Sequence, residues 1–283
     1  MNILLSQTLN GRFLNIAHRG ARSLAPENTL AAGLRALQAG ADLWELDVAM
    51  TADGVPIVIH DQSLHRTSNA KDVFPLRRPW WVHDSSFADI RSLDFGSWFR
   101  EADPFGQIAA GAVSEEELQS YAGERVPSLE EALQFTLAND WYVNIEIKDL
   151  RGTRSDVEIV AKVMRLVESL EMSDRVLISS FNRSYLRQAK AINPAIAMGV
   201  LVDRPDFNPV QLAQDLKADA YHARVSALRT AHLSLLRQEG IAVFVWTVNE
   251  ETTMRSLIEK GVSGIFTDFP QLLTSILSHQ EGR

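Results

Sequence analysis

The chain contains no cysteine. That excludes disulfides, a thiolate nucleophile and thiolate metal sites, so any bound metal must rely on oxygen or imidazole donors. A clustered positive charge is also missing. The net charge is −8 and the lysines and arginines are scattered, which argues against nucleic acid or an anionic membrane surface as a partner. No segment approaches the ~20 apolar residues that span a bilayer, so stable membrane insertion is not expected. Met1 to Gln7 lack the charged start and the ~7–15-residue apolar stretch of a secretory signal, and a cytoplasmic location is expected. No Gly-rich dinucleotide or P-loop signature follows any candidate strand, which lowers the case for an open doubly wound sheet. Internal repeats are absent, and nothing indicates a homo-oligomer.

What is present is a large apolar fraction. At 46% hydrophobic over 283 residues the chain can bury a sizeable core, and one domain over 1–283 is expected. Short apolar runs begin near Leu14, Leu43, Tyr142, Val176, Ala197, Ala220, Val243 and Gly264. Amphipathic stretches separate them, including Leu30 to Ala39, Leu129 to Leu137, Val157 to Leu170, Leu228 to Glu239 and Thr252 to Lys260. Eight such β/α units predict an α/β fold, a (β/α)8 TIM barrel. Ser114 with Glu117 and Ser128 with Glu131 have the spacing of capping boxes. The stretch at about 67–125 breaks the alternation and reads as an insertion; barrel insertions favour the C-terminal face. Its Trp80-Trp81 pair, flanked by Arg77-Arg78, is expected to pack the insertion rather than meet a membrane.

A β-hairpin extends the second strand. Glu45 and Asp47 alternate with Leu46 and Val48, and Asp53-Gly54 then leads back through Val55 to His60-Asp61. A two-residue Asp53-Gly54 turn would place Asp47 opposite His60 and put Leu46, Val48, Ile57 and Ile59 on the core face. Two buried like charges on one face make sense when a cation lies between them, and oxygen donors suit Mg²⁺ or Ca²⁺. Other strand ends are equally polar: His18-Arg19-Gly20, Asn144-Ile145-Glu146-Ile147-Lys148, Ser180-Phe181-Asn182, Trp246-Thr247-Val248-Asn249 and Thr267-Asp268. Strand ends are where a barrel does its chemistry.

His-Arg-Gly at 18–20, Pro-Glu-Asn-Thr at 26–29, Glu-x-Asp at 45–47, His-Asp at 60–61, Glu-x-Lys at 146–148 and Trp-Thr-Val-Asn at 246–249 occur in the order seen in glycerophosphodiester phosphodiesterases. The chain resembles that family from about Asn15 to Pro270, and looks most like its bacterial cytosolic type. The resemblance implies a barrel with one divalent cation, Mg²⁺ or Ca²⁺, that hydrolyses a small-molecule glycerophosphodiester to sn-glycerol 3-phosphate and an alcohol. By position, Glu45, Asp47 and Glu146 match the family's metal ligands, and His18 and His60 its general acid/base pair. Two imidazoles suit a reaction that must activate a nucleophile and protonate a leaving alkoxide near neutral pH. Which histidine is acid, and whether water or the substrate's 2-hydroxyl attacks, stays open.

Arg19 and Lys148 are expected to hold the phosphate, and Trp246 and Phe181 to flank the glycerol carbons. Glu27 and Asn28, just before the Leu30 helix, read as helix-capping residues. Asp61 is expected to orient His60 or an adjacent loop, and His65, His83, His222 and His232 to be solvated or satisfied by neighbours. Two other readings keep the barrel: a lysophospholipase D-type or glycerophosphoinositol phosphodiesterase, with the aromatic insertion the one feature favouring an acylated substrate, and a silent phosphate-ligand binding protein. The last expects a lost catalytic residue, and none is lost.

Overall fold

The computed structural model describes residues 3–281. Nine strands form one sheet: β1 Leu14–Ala17, β2 Leu43–Met50, β3 Pro56–Val58, β4 Val143–Ile147, β5 Val176–Ser180, β6 Ala197–Val202, β7 Ala220–Arg224, β8 Ala242–Trp246 and β9 Gly264–Thr267. Eight of them run parallel in the order β1-β9-β8-β7-β6-β5-β4-β2, and pairing of β1 with β2 closes the ring. The result is the expected TIM barrel. β3 adds antiparallel to β2 as the hairpin return.

Helices cover the outside because their apolar residues recur on one side. In the helix Ile159–Ser169, the buried positions are Ile159, Val160, Val163, Met164 and Val167, a helical spacing that lays one stripe on the sheet. The expected start at Val157 gives way to a separate turn, Arg154–Val157, capped by Thr153. Both capping boxes form, Ser114 with Glu117 and Ser128 with Glu131. The barrel interior holds its own apolar plug, in which Leu14, Ile16, Leu43, Leu177, Phe244 and Phe266 are buried. This plug confines polar chemistry to the C-terminal mouth.

The hairpin differs from expectation by one residue. Val48 pairs with Val58, Ala49 with Ile57 and Met50 with Pro56, so Asp47 lies across from Ile59, whose N–H donates to the Asp47 carbonyl at 2.9 Å. Val58, not Ile57 or Ile59, therefore shares the face of Val48. The cause is a three-residue loop, Ala52-Asp53-Gly54: the Thr51 N–H donates to the Val55 carbonyl at 3.1 Å, and Gly54 takes φ +79°. A turn followed by a left-handed residue is the usual three-residue solution, and glycine adopts that conformation without a Cβ penalty. Thr51 Oγ1 donates to Asp53 Oδ1 at 2.6 Å, which engages the carboxylate within the loop.

Residues 67–125 form short helices, Ala70–Val73, Phe87–Arg91, Ser97–Ala102 and Glu115–Tyr121. They lean on the C-terminal side of the barrel. Tyr121 Oη donates to the Leu24 carbonyl at 3.1 Å, and the Phe105 ring meets Phe269, just beyond β9, edge-on at 5.5 Å. Trp80 packs within the insertion: its Nε1–H donates to the Phe74 carbonyl at 2.7 Å and its ring stacks on His65. Among the described residues no helix is long and apolar enough to cross a membrane.

Candidate active site

Strand alternation turns Glu45 and Asp47 of β2 inward, and register places Glu146 of β4 beside Asp47. Oxygens of the three carboxylates lie within 4.8 Å of one another. The local cations do not serve all three equally. Lys148 Nζ donates to Glu146 Oε1 at 2.7 Å and to Asp47 Oδ1 at 3.3 Å, Arg19 Nε lies 3.2 Å from Asp47 Oδ2, and Asn28 Nδ2 donates to Asp47 Oδ2 at 2.9 Å. Burial pushes the Asp47 carboxyl up, but the charges of Lys148, Arg19 and His60 with the Asn28 hydrogen bond outweigh it and hold it well below the usual range. Glu45 goes the other way. Burial first, then the charges of Asp47 and Glu146, raise it well above the carboxylate range, although the Arg19 backbone N–H donates to its Oε2 at 2.8 Å. An acidic cluster that pushes one of its members toward protonation lacks positive charge, and a hard divalent cation with oxygen donors fits that deficit.

The two histidines are built alike. His18 follows β1, and its Nδ1 lies 2.7 Å from Asp268 Oδ1, just after β9; Asn249 Nδ2 donates to the other oxygen of Asp268 at 2.7 Å. His60 follows β3, and its Nδ1 lies 2.6 Å from Asp61 Oδ1, whose other oxygen accepts from Arg66 Nε at 2.6 Å. A carboxylate only accepts, so each ring carries its hydrogen on Nδ1 and has Nε2 free. Burial, then the charge of Arg19, lower the His18 pKa, partly opposed by Asp268. Despite the shifted register, His60 still reaches the site, because it lies beyond the strand on the return loop.

Both histidines, Arg19, Lys148 and two of the three carboxylates, Glu45 and Glu146, face one cavity of about 120 Å³. Its charged lining is His18, Arg19, Glu45, His60, Glu146 and Lys148, its apolar lining Phe181, Leu201, Trp246 and Phe266, and Asn144, Ser179 and Thr247 complete it. Asp47 lies behind, 1% exposed. Phe181 and Trp246 meet edge-on at 5.6 Å, and the Trp246 Nε1–H donates to the His222 carbonyl at 2.9 Å. Every residue selected from the sequence is thus in or directly behind a single cavity.

Three expectations need correction. The helix Leu30–Gln38 is capped by Thr29, whose Oγ1 accepts the Ala32 N–H, and not by Glu27 or Asn28. Asn28, at φ +59°, turns its side chain onto Asp47, and its Oδ1 also accepts the Asp47 N–H at 3.2 Å. Glu27 is a buried acceptor for arginines. The Arg19, Arg22 and Arg66 partners overcome the effect of burial and lower its pKa to about 2. His222 is neither solvated nor satisfied: it is fully buried against Phe244 and Phe266, and neither ring nitrogen has a hydrogen-bond partner among the described residues. The principal group missed in sequence is Asp268. Its signal was its place at a strand end after Thr267, but the partner it serves is 250 positions away.

Comparison with known proteins agrees with this geometry. The profile of the Glycerophosphoryl diester phosphodiesterase family matches residues 18–272. A glycerophosphodiester phosphodiesterase of Caldanaerobacter subterraneus subsp. tengcongensis is 33% identical, over 93% of this chain and 97% of that protein. A phosphodiesterase structure from Oleispira antarctica in complex with the product sn-glycerol-3-phosphate superposes with a TM-score of 0.75 at 27% identity, over 93% and 96% of the two chains. A candidate glycerophosphoryl diester phosphodiesterase from Silicibacter pomeroyi superposes with a TM-score of 0.84 at 26% identity, covering 98% of both chains. This chain belongs to the glycerophosphoryl diester phosphodiesterase family and is an enzyme of that class.

Proposed function

We propose that residues 1–283 form one catalytic domain that hydrolyses glycerophosphodiesters to sn-glycerol 3-phosphate and an alcohol, with Glu45, Asp47 and Glu146 holding one divalent cation. The observation that carries this reading is the cavity itself. Two histidines, each backed by a carboxylate, face the same space as an acidic cluster short of positive charge. The relative from Oleispira antarctica, which binds sn-glycerol-3-phosphate, supplies the substrate class.

A divalent cation held by Glu45, Asp47 and Glu146 would supply positive charge that offsets the charge of the phosphoryl oxygens and favours loss of a proton from the attacking hydroxyl; Mg²⁺ and Ca²⁺ both suit the donors. The protein's own groups do the rest. Arg19, fixed by Glu27 and Asp47, and Lys148 present positive charge to the phosphate from one wall. One of His18 and His60 takes the proton of the attacking hydroxyl at Nε2, and the other delivers a proton to the departing alkoxide. Asp268 and Asp61 hold the two rings in the tautomer this requires. Trp246 and Phe181 give the carbon skeleton an apolar wall. For the acylated-substrate reading, Trp80 of the aromatic pair is engaged in packing the insertion, and Trp81 stacks on His83.

Purified protein with Mg²⁺ or Ca²⁺ is expected to release sn-glycerol 3-phosphate from glycerophosphocholine or glycerophosphoethanolamine, with chelation abolishing release. His18→Ala and His60→Ala are each expected to lose ~10²–10⁴-fold in kcat. A diester panel left intact under both metals would overturn the proposal.

A further inference from the structure

We propose that Glu27 is a positioning residue that couples the two histidines, so that the charge state of each is felt by the other through a continuous run of ion pairs behind the cavity. The proposal rests on His18 and His60 being the proton-transfer pair. The run starts at His18 Nδ1, 2.7 Å from Asp268 Oδ1. Arg22 Nε lies 3.7 Å from that oxygen, and Arg22 Nη2 lies 3.2 Å from Glu27 Oε2. On the far side of Glu27, Arg66 donates Nη2–H to Oε1 at 2.7 Å and Nη1–H to Oε2 at 2.9 Å. Arg66 Nε then donates to Asp61 Oδ2 at 2.6 Å, and Asp61 Oδ1 is 2.6 Å from His60 Nδ1. Carboxylate and guanidinium alternate from one ring to the other, the Arg22–Asp268 link at 3.7 Å being a contact of charges without a hydrogen bond.

Glu27 is the one member shared by both arms. Its fourth guanidinium contact is Arg19 Nη1 at 2.9 Å, which fills the remaining acceptor site of the carboxylate. The side chain is 2% exposed, so the charge at the centre of the run is little screened, while Arg66 and Asp61 in the outer arm are 42% and 29% exposed. Glu27 does not line the cavity and can influence the chemistry only through its partners. Diester cleavage needs one imidazole charged while the other is neutral. A shared network with a buried carboxylate at its centre supplies that asymmetry: a proton on His60 draws Asp61 inward, leaves Arg66 leaning on Glu27, and raises the positive potential felt along Arg22 and Asp268 at His18.

Imidazole ¹⁵N NMR of the full chain, with and without Mg²⁺, reads the coupling and needs no turnover. Asp268→Asn is expected to change the proton affinity of His60 about threefold, and Asp61→Asn that of His18 by a similar factor. In a Glu27→Gln background both cross-effects should disappear while the direct effects remain. Arg66→Lys keeps the charge but loses the two-pronged contact; its side chain is 42% exposed, so it serves if Glu27→Gln does not fold. It is expected to abolish the same cross-effects and to lower kcat about tenfold, with KM within about twofold. Cross-effects in Glu27→Gln or Arg66→Lys as large as in the parent would overturn the coupling. Absence of turnover on every diester would instead count against the proposed function and leave the NMR result readable.

Discussion

The two walls of the cavity obey opposite rules. On the side formed by β1, β2, β4 and the hairpin, charge is held by charge: Arg19, Glu27, Asp47 and Lys148 all have partners within 3.3 Å, and His18 leans on Asp268 from just beyond β9. Across the mouth, on and after β5 to β9, Phe181, Leu201, Trp246 and Phe266 dominate beside the uncharged Ser179 and Thr247, and behind them His222, whose ring nitrogens have no hydrogen-bond partner among the described residues, is buried among rings. One wall holds charge in fixed positions where a phosphodiester develops it. The other excludes water and supplies shape. Fixed dipoles and charges in a dry site act most strongly on the transition state, whereas apolar contact adds binding that ground and transition states share.

Substitutions on the two walls should therefore fail differently. Asp47→Asn removes the carboxylate on which Lys148, Arg19 and Asn28 converge, and should lower kcat about 10³-fold. The same variant should show weaker Mg²⁺ or Ca²⁺ binding by calorimetry; unchanged kcat and metal affinity would erase the contrast. Trp246→Ala should mainly raise KM, about tenfold, with kcat changed little, as steady-state kinetics on glycerophosphocholine would show. A pure kcat effect there would mean that the apolar wall acts in the transition state.

The remaining effect is on stability rather than turnover and concerns His222. Burial lowers its pKa to about 3 from an ordinary value of 6.5, so the unfolded chain binds this proton more readily than the folded one. Stability should therefore fall as pH drops below 6.5 and continue to fall towards pH 3, by about 1.4 kcal/mol per pH unit from this residue. His222→Phe should flatten that part of the urea-midpoint profile between pH 6 and pH 4 by removing the buried nitrogens. Gly199 must remain glycine for either side chain to fit, since a Cβ there would lie 2.1 Å from His222 Nε2.

The barrel was legible because its signals are local: strand runs, amphipathic helices and two capping boxes each depend on residues a few positions apart. The cluster of Glu45, Asp47 and Glu146 was legible from alternation and motif order. Three kinds of feature were not. The hairpin register depended on whether Asp53-Gly54 stood alone or followed Ala52 in a longer loop, and one residue reverses a face. Glu27 and Asn28 sat where capping residues sit, but Thr29 took that role and freed both for the site. Asp268 and His222 depend on partners hundreds of positions away or on having none, and no local pattern encodes either.

The hairpin loop has one more attachment. Lys162 Nζ donates to the Gly54 carbonyl at 2.6 Å, tying the tip to the helix Ile159–Ser169 that follows β4. The Val58 N–H donates to the Pro127 carbonyl at 3.0 Å, so the outer edge of the return strand is tied down as well. The segments bearing Glu45, Asp47 and His60 are thus stapled to the one bearing Glu146 and Lys148 at a point remote from the cavity. In native-state hydrogen exchange the hairpin amides and those of β4 should open together as one cooperative unit. The acidic cluster would then be assembled or lost as a whole, and breathing motions would not pull its halves apart.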